Sequence, residues 1–179
     1  MSQTAVQLLK SDAEYGFSEF MKALEGVTEK QAWAVLPAAG DEYMHTDGSI
    51  HSIVLHVAGG KFMNGSICFR QTEMRWRDLA DQIGAFEPSW DAALDYLAKS
   101  HEYWLSSWEH LQDSELEEMV PTYFKNDRPA LQIIRMVNHH DSYHAGQIAV
   151  LRYALLESDV KPPSAAEDVR QSCSELRHW

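Results

Sequence analysis

The chain has 179 residues, a length that predicts one domain able to bury a hydrophobic core without disulfides. Apolar residues make up 45% of it and charged residues 23%, a composition typical of a compact globular protein and not of a disordered chain. Twenty-seven acidic and 15 basic residues give a formal charge of −12, which repels phosphate backbones and anionic lipids. Neither nucleic acid nor a membrane is therefore an expected partner.

The cysteines and the apolar segments indicate a cytoplasmic protein. Cys68 and Cys173 have no CxxC spacing, and the first residues lack the charged and then apolar pattern of a signal peptide. Even the most apolar segment, Ile50–Phe69, is interrupted by histidine, lysine and asparagine, so it is not a predicted transmembrane helix.

Hydrophobic periodicity predicts an all-α fold with four main helices and little sheet. The predicted helices are Thr4–Leu24, ended by Gly26; Ile50–Arg70, capped by Asp47 or Ser49; Pro88–Leu111; and Pro129–Leu156, with Asp127 as N-cap candidate. We expect them to form one four-helix bundle domain over residues 1–160, of the up-down-down-up type with a metal site in its core. Residues 73–87 are harder to assign, and Pro162 and Pro163 separate the domain from a tail over 161–179.

Histidines occupy core positions in three of these helices. The predicted seam of the second helix is Ile53, His56, Gly60, Met63 and Ile67. That of the third is Trp90, Leu94, Leu97, His101, Trp104, Trp108 and Leu111. That of the fourth is Ile133, Val137, His140, His144, Ile148, Leu151 and Leu155.

His140 and His144 are the strongest candidates for metal ligands. Residues four apart lie on one helix face with Cβ atoms about 5–6 Å apart, so two imidazoles can converge on one ion. Burying both without strong partners would be costly, and a shared ion is the simpler account of the pair.

A third ligand could come from His56 or from His101, and spacing does not separate them. Gly60, one turn after His56, would leave room beside it. Three neutral imidazoles leave coordination positions open for water or substrate, as in catalytic metal sites. A single core histidine is more often a hydrogen-bonded structural residue, and that alternative stands. The remaining histidines are interpreted as structural or surface residues: His45, His51, His110, His139 and His178.

The run HDSYHAGQIAVLR at 140–152 resembles the signature of the last helix in the DinB-like family of metal-binding helical proteins. The family pattern is a histidine, three residues, a second histidine, a small residue, Gly-Gln and an aliphatic residue, with a further histidine on the second helix. Here Ser52–His56, SIVLH, is similar to that second element. The resemblance implies that His56, His140 and His144 are the ligands, and it favours His56 over His101.

The resemblance also implies a function and an assembly. Relatives include transferases and isomerases that use low-molecular-weight thiols, and a homodimer is expected. A divalent transition metal is the expected cofactor. Three histidines suit several such ions, so ligand type does not rank them. Zinc is placed first because it is the commonest ion in such open sites, and nickel next. Gln147 could orient a ligand or water, and Asp141 or Tyr143 could hydrogen-bond the imidazoles. Gly146 is interpreted as permitting close helix packing, and Arg152 as forming an ion pair.

Three functional hypotheses follow. The first is a metal-dependent enzyme, a thiol-dependent S-transferase or a hydrolase acting on a small molecule. The second is a non-catalytic, stress-linked bundle that binds a metal or ligand, and the third is a structural bundle that dimerises through exposed aromatics such as Trp33, Trp76 and Trp179. A di-iron carboxylate bundle is disfavoured because the one Glu-x-x-His match, at Glu42 and His45, lies in a predicted loop. A zincin is excluded because the sequence has no HExxH.

Overall fold

The computed structural model describes residues 3–35, 46–72, 74–85 and 88–155. These residues are mostly helical, which confirms the predicted all-α class. The helices are α1 (Ala5–Leu24), α2 (Glu29–Ala32), α3 (Ile50–Asn64), α4 (Trp76–Gly84), α5 (Trp90–Trp108) and α6 (Ala130–Leu155); a π-helical turn (Gly65–Phe69) and a 3₁₀ turn (Asp113–Glu115) add to them. Strands β1 (Met119–Val120) and β2 (Arg128–Pro129) pair antiparallel. The loop with His45 and the tail with Cys173 and His178 lie outside the described residues.

Local signals set most helix ends. Thr4 caps α1 in a reciprocal capping box with Gln7, and Ser49 caps α3, as one of the two predicted candidates. After α1, Gly26 has a φ of +74°, a conformation that glycine adopts without the Cβ penalty. The Arg152 guanidinium donates a hydrogen bond of 2.7 Å to the carbonyl of Ala23 in the last turn of α1. Arg152 therefore caps a helix, and within the described residues it does not form the predicted ion pair.

The start of α6 differs from the prediction. Arg128 and Pro129 form β2, so the helix begins at Ala130 and Asp127 is not its N-cap. The amide of Ala130 donates to the Glu118 carbonyl at 2.9 Å. This long-range pairing replaces the local cap that the sequence indicated.

The end of α3 also departs from a regular helix. Ile67 was the predicted seam residue, but Cys68 is buried in its place, 1% exposed, while Ile67 is only half-buried. The π-helical turn at Gly65–Phe69 accommodates one extra residue, so the seam moves from the fourth to the fifth residue after Met63.

The long helices enclose two hydrophobic clusters. α1 packs mainly against α6, α3 against α5, and α3 also contacts α6. Gly16 of α1 allows a close approach, since a Cβ there would lie 3.2 Å from the carbonyl oxygen of Asn138. The first cluster includes Phe20, Leu24, Ile53, Val57, Trp90, Leu97, Ile148 and Leu151. The second includes Val6, Leu9, Cys68, Trp104, Trp108, Ile133 and Val137.

Two further expectations concern exposed tryptophans and membrane-spanning helices. Trp33 is buried, 5% exposed, so it does not mark an exposed interface; the Trp76 side chain and Trp179 lie outside what the structure describes. Among the described helices, none has the length and apolar character that crossing a bilayer requires.

Candidate metal centre

Three histidines from two helices meet at one point. His56 lies on α3, and His140 and His144 lie one turn apart on α6. The Nε2 atom of His140 is 3.1 Å from Nε2 of His56 and 2.9 Å from Nε2 of His144. His56 and His144 are 4% and 3% exposed, and His140 is half-buried. The structure therefore brings together the three residues that the resemblance implied as ligands.

Hydrogen bonds among the imidazoles do not account for this arrangement. An imidazole nitrogen in a neutral ring either donates one proton or accepts with one lone pair, both in the ring plane. Nε2 of His140 cannot satisfy both neighbouring Nε2 atoms in either role. The rings of His140 and His144 are also nearly perpendicular, with an interplanar angle of 87°, so their nitrogen edges meet and their faces do not stack.

The spacing fits a shared cation. Imidazole nitrogens bind Zn²⁺ at about 2.0–2.1 Å, which separates two ligand atoms by about 2.9 Å at a right angle and about 3.3 Å at the tetrahedral angle. The two short separations, 3.1 and 2.9 Å, fall in this range. One nitrogen from each residue lies within 4.8 Å of the other two. The three-histidine group could hold a metal ion.

His101 lies elsewhere, in a buried polar cluster between α3, α5 and α6. Its ring stacks on Phe17 at a centroid distance of 3.8 Å, and its Nδ1 atom is 3.5 Å from the Lys61 ammonium. Burial, and then the charge of Lys61, lowers the pKa of His101 to about 3. The geometry thus places His56, and not His101, beside the pair on α6.

Lys61 and Asp141 form a buried ion pair next to the histidines. Their side chains are each 1% exposed, and Nζ of Lys61 donates to Oδ2 of Asp141 at 2.6 Å. Burial lowers the pKa of Lys61 and raises the pKa of Asp141, while their mutual attraction opposes both shifts. Asp141 therefore pairs with an ammonium, and the expected bond to an imidazole was wrong. Lys61 was not predicted, although a lone charge in an apolar helix is the signal that could have identified it.

Gln147 contacts His144 and is positioned to orient its imidazole. Its Oε1 atom lies 2.5 Å from Nδ1 of His144, the nitrogen opposite the one that faces the cluster. Its Nε2 atom donates to the Tyr143 hydroxyl at 3.3 Å. An acceptor at Nδ1 fixes the proton there and leaves the Nε2 lone pair free to point at the cluster. The Tyr143 ring packs edge-on against the His144 imidazole at a centroid distance of 5.0 Å, and its hydroxyl also accepts the hydrogen bond from Gln147.

The other described histidines take no part in the cluster. His139 and His110 are exposed. His51 is 0% exposed and stacks on Trp33 at a centroid distance of 3.7 Å, and burial lowers its pKa to about 4. Gly146 is exposed, and no other helix among the described residues has an atom within 4 Å of the position of a Cβ there, so the prediction that it permits close helix packing was wrong.

A cavity of about 100 Å³ opens beside the cluster and was not predicted. His56 and His140 line it, and the other walls come from positions one or two turns along the same faces of α3 and α6 and from the segment between the strands. These are Gly60, Met63, Asn64, Tyr123, Phe124, Met136 and Val137. Two of the three clustered histidines therefore face a partly open, largely apolar cavity.

Comparison with known proteins agrees with the fold and with the motif. No curated protein matches the sequence. The crystal structure of a conserved protein from Enterococcus faecalis is similar, with a TM-score of 0.68 and 14% identity over 88% of this chain and 100% of that chain, a likeness that shows the fold alone. A sequence profile described as the DinB superfamily matches residues 18–148, a range that includes all three clustered histidines. Because this match spans well over half of the sequence, the chain belongs to the DinB superfamily.

Proposed function

We propose that the protein binds one divalent transition metal ion through Nε2 of His56, His140 and His144, and that it is a metal-dependent enzyme. The observation that carries the proposal is the convergence of one nitrogen from each of three histidines, at separations that suit ligands of a single ion. Zinc is the first candidate and nickel the second, since three imidazoles accept either.

The residues around the cluster favour thiol transfer over hydrolysis. A bound divalent cation supplies Lewis acidity, which lowers the pKa of a coordinated thiol or water. Hydrolysis usually also needs a general base near the reacting water. Among the described residues that line the cavity there is no carboxylate, and its polar side chains besides the histidines are Asn64 and Tyr123. A thiol cosubstrate makes no such demand, so we propose an S-transferase acting on a small molecule.

We also propose that the four long helices form one up-down-down-up bundle domain around the site. The distribution of the core residues supports it. The N-terminal halves of α3 and α5 share a cluster with the C-terminal halves of α1 and α6. The second cluster joins the opposite halves of α1, α5 and α6 with Cys68, from the π-helical turn that follows α3. A homodimer is proposed as well, supported by three exposed apolar residues of α6 spaced seven apart, namely Met136, Tyr143 and Val150.

Elemental analysis of the untagged protein tests the metal site. We expect about one metal ion per chain, lost in His140→Ala/His144→Ala and in His56→Ala. His101→Ala should keep the ion, because its ring lies in the separate cluster with Phe17 and Lys61. His139→Ala is the matched control, since this exposed histidine on the same helix lies outside the cluster.

Each outcome decides a different hypothesis. A wild-type protein that purifies without metal and takes up neither Zn²⁺ nor Ni²⁺ would refute the site. A loaded protein that transfers no thiol to electrophilic substrates would support the non-catalytic, ligand-binding alternative.

A further inference from the structure

We infer that the cavity beside the three histidines selects an uncharged, compact, apolar group of the substrate, about the size of a benzene ring or a butyl chain. The inference rests on the proposed metal site only for the orientation of that substrate. The proposed thiol would then carry an apolar carbon skeleton, with its sulfur directed at the histidine cluster and its proton released to solvent.

The walls of the cavity are the first argument. Met63 and Val137 are 2% and 4% exposed and form its inner part, whereas Phe124 and Met136 are 59% and 45% exposed and stand at its rim. Methionine side chains are flexible and polarizable, so they adapt to apolar guests of different shapes. Exposed Phe124 and Met136 would lose apolar surface to a bound group, which favours binding.

The second argument is that the described cavity walls offer no charged side chain to pair with a charged group on a thiol. Among the described residues that line the cavity there is no lysine or arginine. The Asn64 amide is partly engaged, since its Nδ2 atom donates to the Gly60 carbonyl at 2.8 Å and its Oδ1 atom accepts from the Cys68 thiol at 3.9 Å. A thiol with carboxylates or an ammonium would have to lose water from those groups without gaining partners, which is costly. Polar, charged thiols therefore fit this cavity poorly.

Gly60 supplies the third argument, because it sets the free space next to His56. Beyond the surrounding helix backbone, no atom of the described residues lies within 4 Å of the position of a Cβ at residue 60, although the residue lies inside α3 between apolar walls. Glycine is unfavourable in a helix interior. The chain thus accepts the less favourable residue where a side chain would project into the cavity.

Two thiol probes test the inference on the Co²⁺-loaded full-length protein. Benzyl mercaptan carries an apolar ring, and cysteine is a small thiol with two charges. Sulfur coordination to Co²⁺ gives an absorption change that reports binding directly, without enzymatic turnover. We expect benzyl mercaptan to bind about 10- to 100-fold more tightly than cysteine, the factor for burying one large apolar side chain.

Gly60→Leu should reduce this affinity ratio at least about tenfold while Co²⁺ content stays at the wild-type level. Gly146→Leu is the matched control, since this glycine also lies inside a helix with open space around it but faces solvent, away from the cavity. Its ratio should equal that of the wild type. Equal affinities of the two thiols in the wild type, or a Gly60→Leu variant that keeps the full ratio, would overturn the inference.

A second readout separates the cavity from the metal site. If the protein takes up no Co²⁺, the proposed function fails and the cavity is tested on the metal-free protein with toluene. Methionine-methyl NMR should then show shifts of Met63 and Met136 that saturate with toluene in the wild type and in Gly146→Leu but not in Gly60→Leu. Unchanged Met63 and Met136 signals in the wild type would overturn the inference independently.

Discussion

Removing the Lys61 ammonium should destabilise the protein strongly. Nζ of Lys61 lies 2.6 Å from Oδ2 of Asp141, and both side chains are 1% exposed. Among the described residues, Oδ1 of Asp141 is buried without a hydrogen-bond partner. Lys61→Met would thus leave a buried carboxyl group with neither a counter-charge nor a donor to either oxygen. Breaking a buried pair in this way costs about 3–5 kcal/mol.

Urea denaturation of the chelator-treated protein measures this cost without a contribution from metal binding. With a slope of about 2 kcal/mol per molar urea, the unfolding midpoint of Lys61→Met should fall by about 2 M. Lys61→Met/Asp141→Leu should recover most of the loss, because replacing both partners removes the uncompensated charge.

The matched control is an ion pair of equal length at the surface. Lys10 and Glu109 are also 2.6 Å apart, but their side chains are 40% and 38% exposed, so Lys10→Met should cost well under about 1 kcal/mol. A Lys61→Met variant no less stable than Lys10→Met would refute the reasoning, as would a double variant no more stable than Lys61→Met.

Three further outcomes are expected. Gln147→Leu removes the acceptor at Nδ1 of His144 and should weaken metal binding about 10- to 100-fold in a chelator competition; an unchanged affinity would exclude an orienting role. The His51 pKa is lowered from 6.5 to about 4 by burial, so folding excludes a proton that the unfolded chain binds, and stability should fall as the pH drops from 6.5 to 4. His51→Phe should reduce that slope by up to about 1.4 kcal/mol per pH unit in urea titrations, and a parallel pH profile would contradict the assignment. Arg152→Met loses the bond to the Ala23 carbonyl and should lower stability by about 1–2 kcal/mol in thermal unfolding, whereas an unchanged melting temperature would mean that water replaces the cap.

Local periodicity was sufficient to locate the four long helices and the pair on α6. An apolar stripe with a period near 3.6 residues identifies the buried face wherever a helix is regular, so His140 and His144 could be placed on it. Choosing His56 over His101 was different, because both lie in seams. The family motif made that choice, and the structure places His56 at the cluster.

The features that sequence reasoning missed depend on contacts between distant residues. Ala130 begins α6 because its amide bonds to Glu118 across the small sheet, a contact that no local pattern reveals. Lys61 and Asp141 are 80 residues apart, so their pairing required the packed structure. The cavity likewise combines α3 and α6 with Tyr123 and Phe124 from the segment between the strands.

Because of the π-helical turn after α3, the effect of deleting one residue depends on where in this segment the deletion falls. Deleting one residue from Gly65–Ile67 would place Cys68 four positions after Met63, on the seam of an ordinary α-helix, so the same side chain would still face inward. Deleting one residue between His56 and Met63 would instead turn the following positions by about 100° relative to the histidine. Chain length can therefore change at the turn while the spacing from His56 through Met63 is kept, which makes the turn the natural site for length variation among relatives.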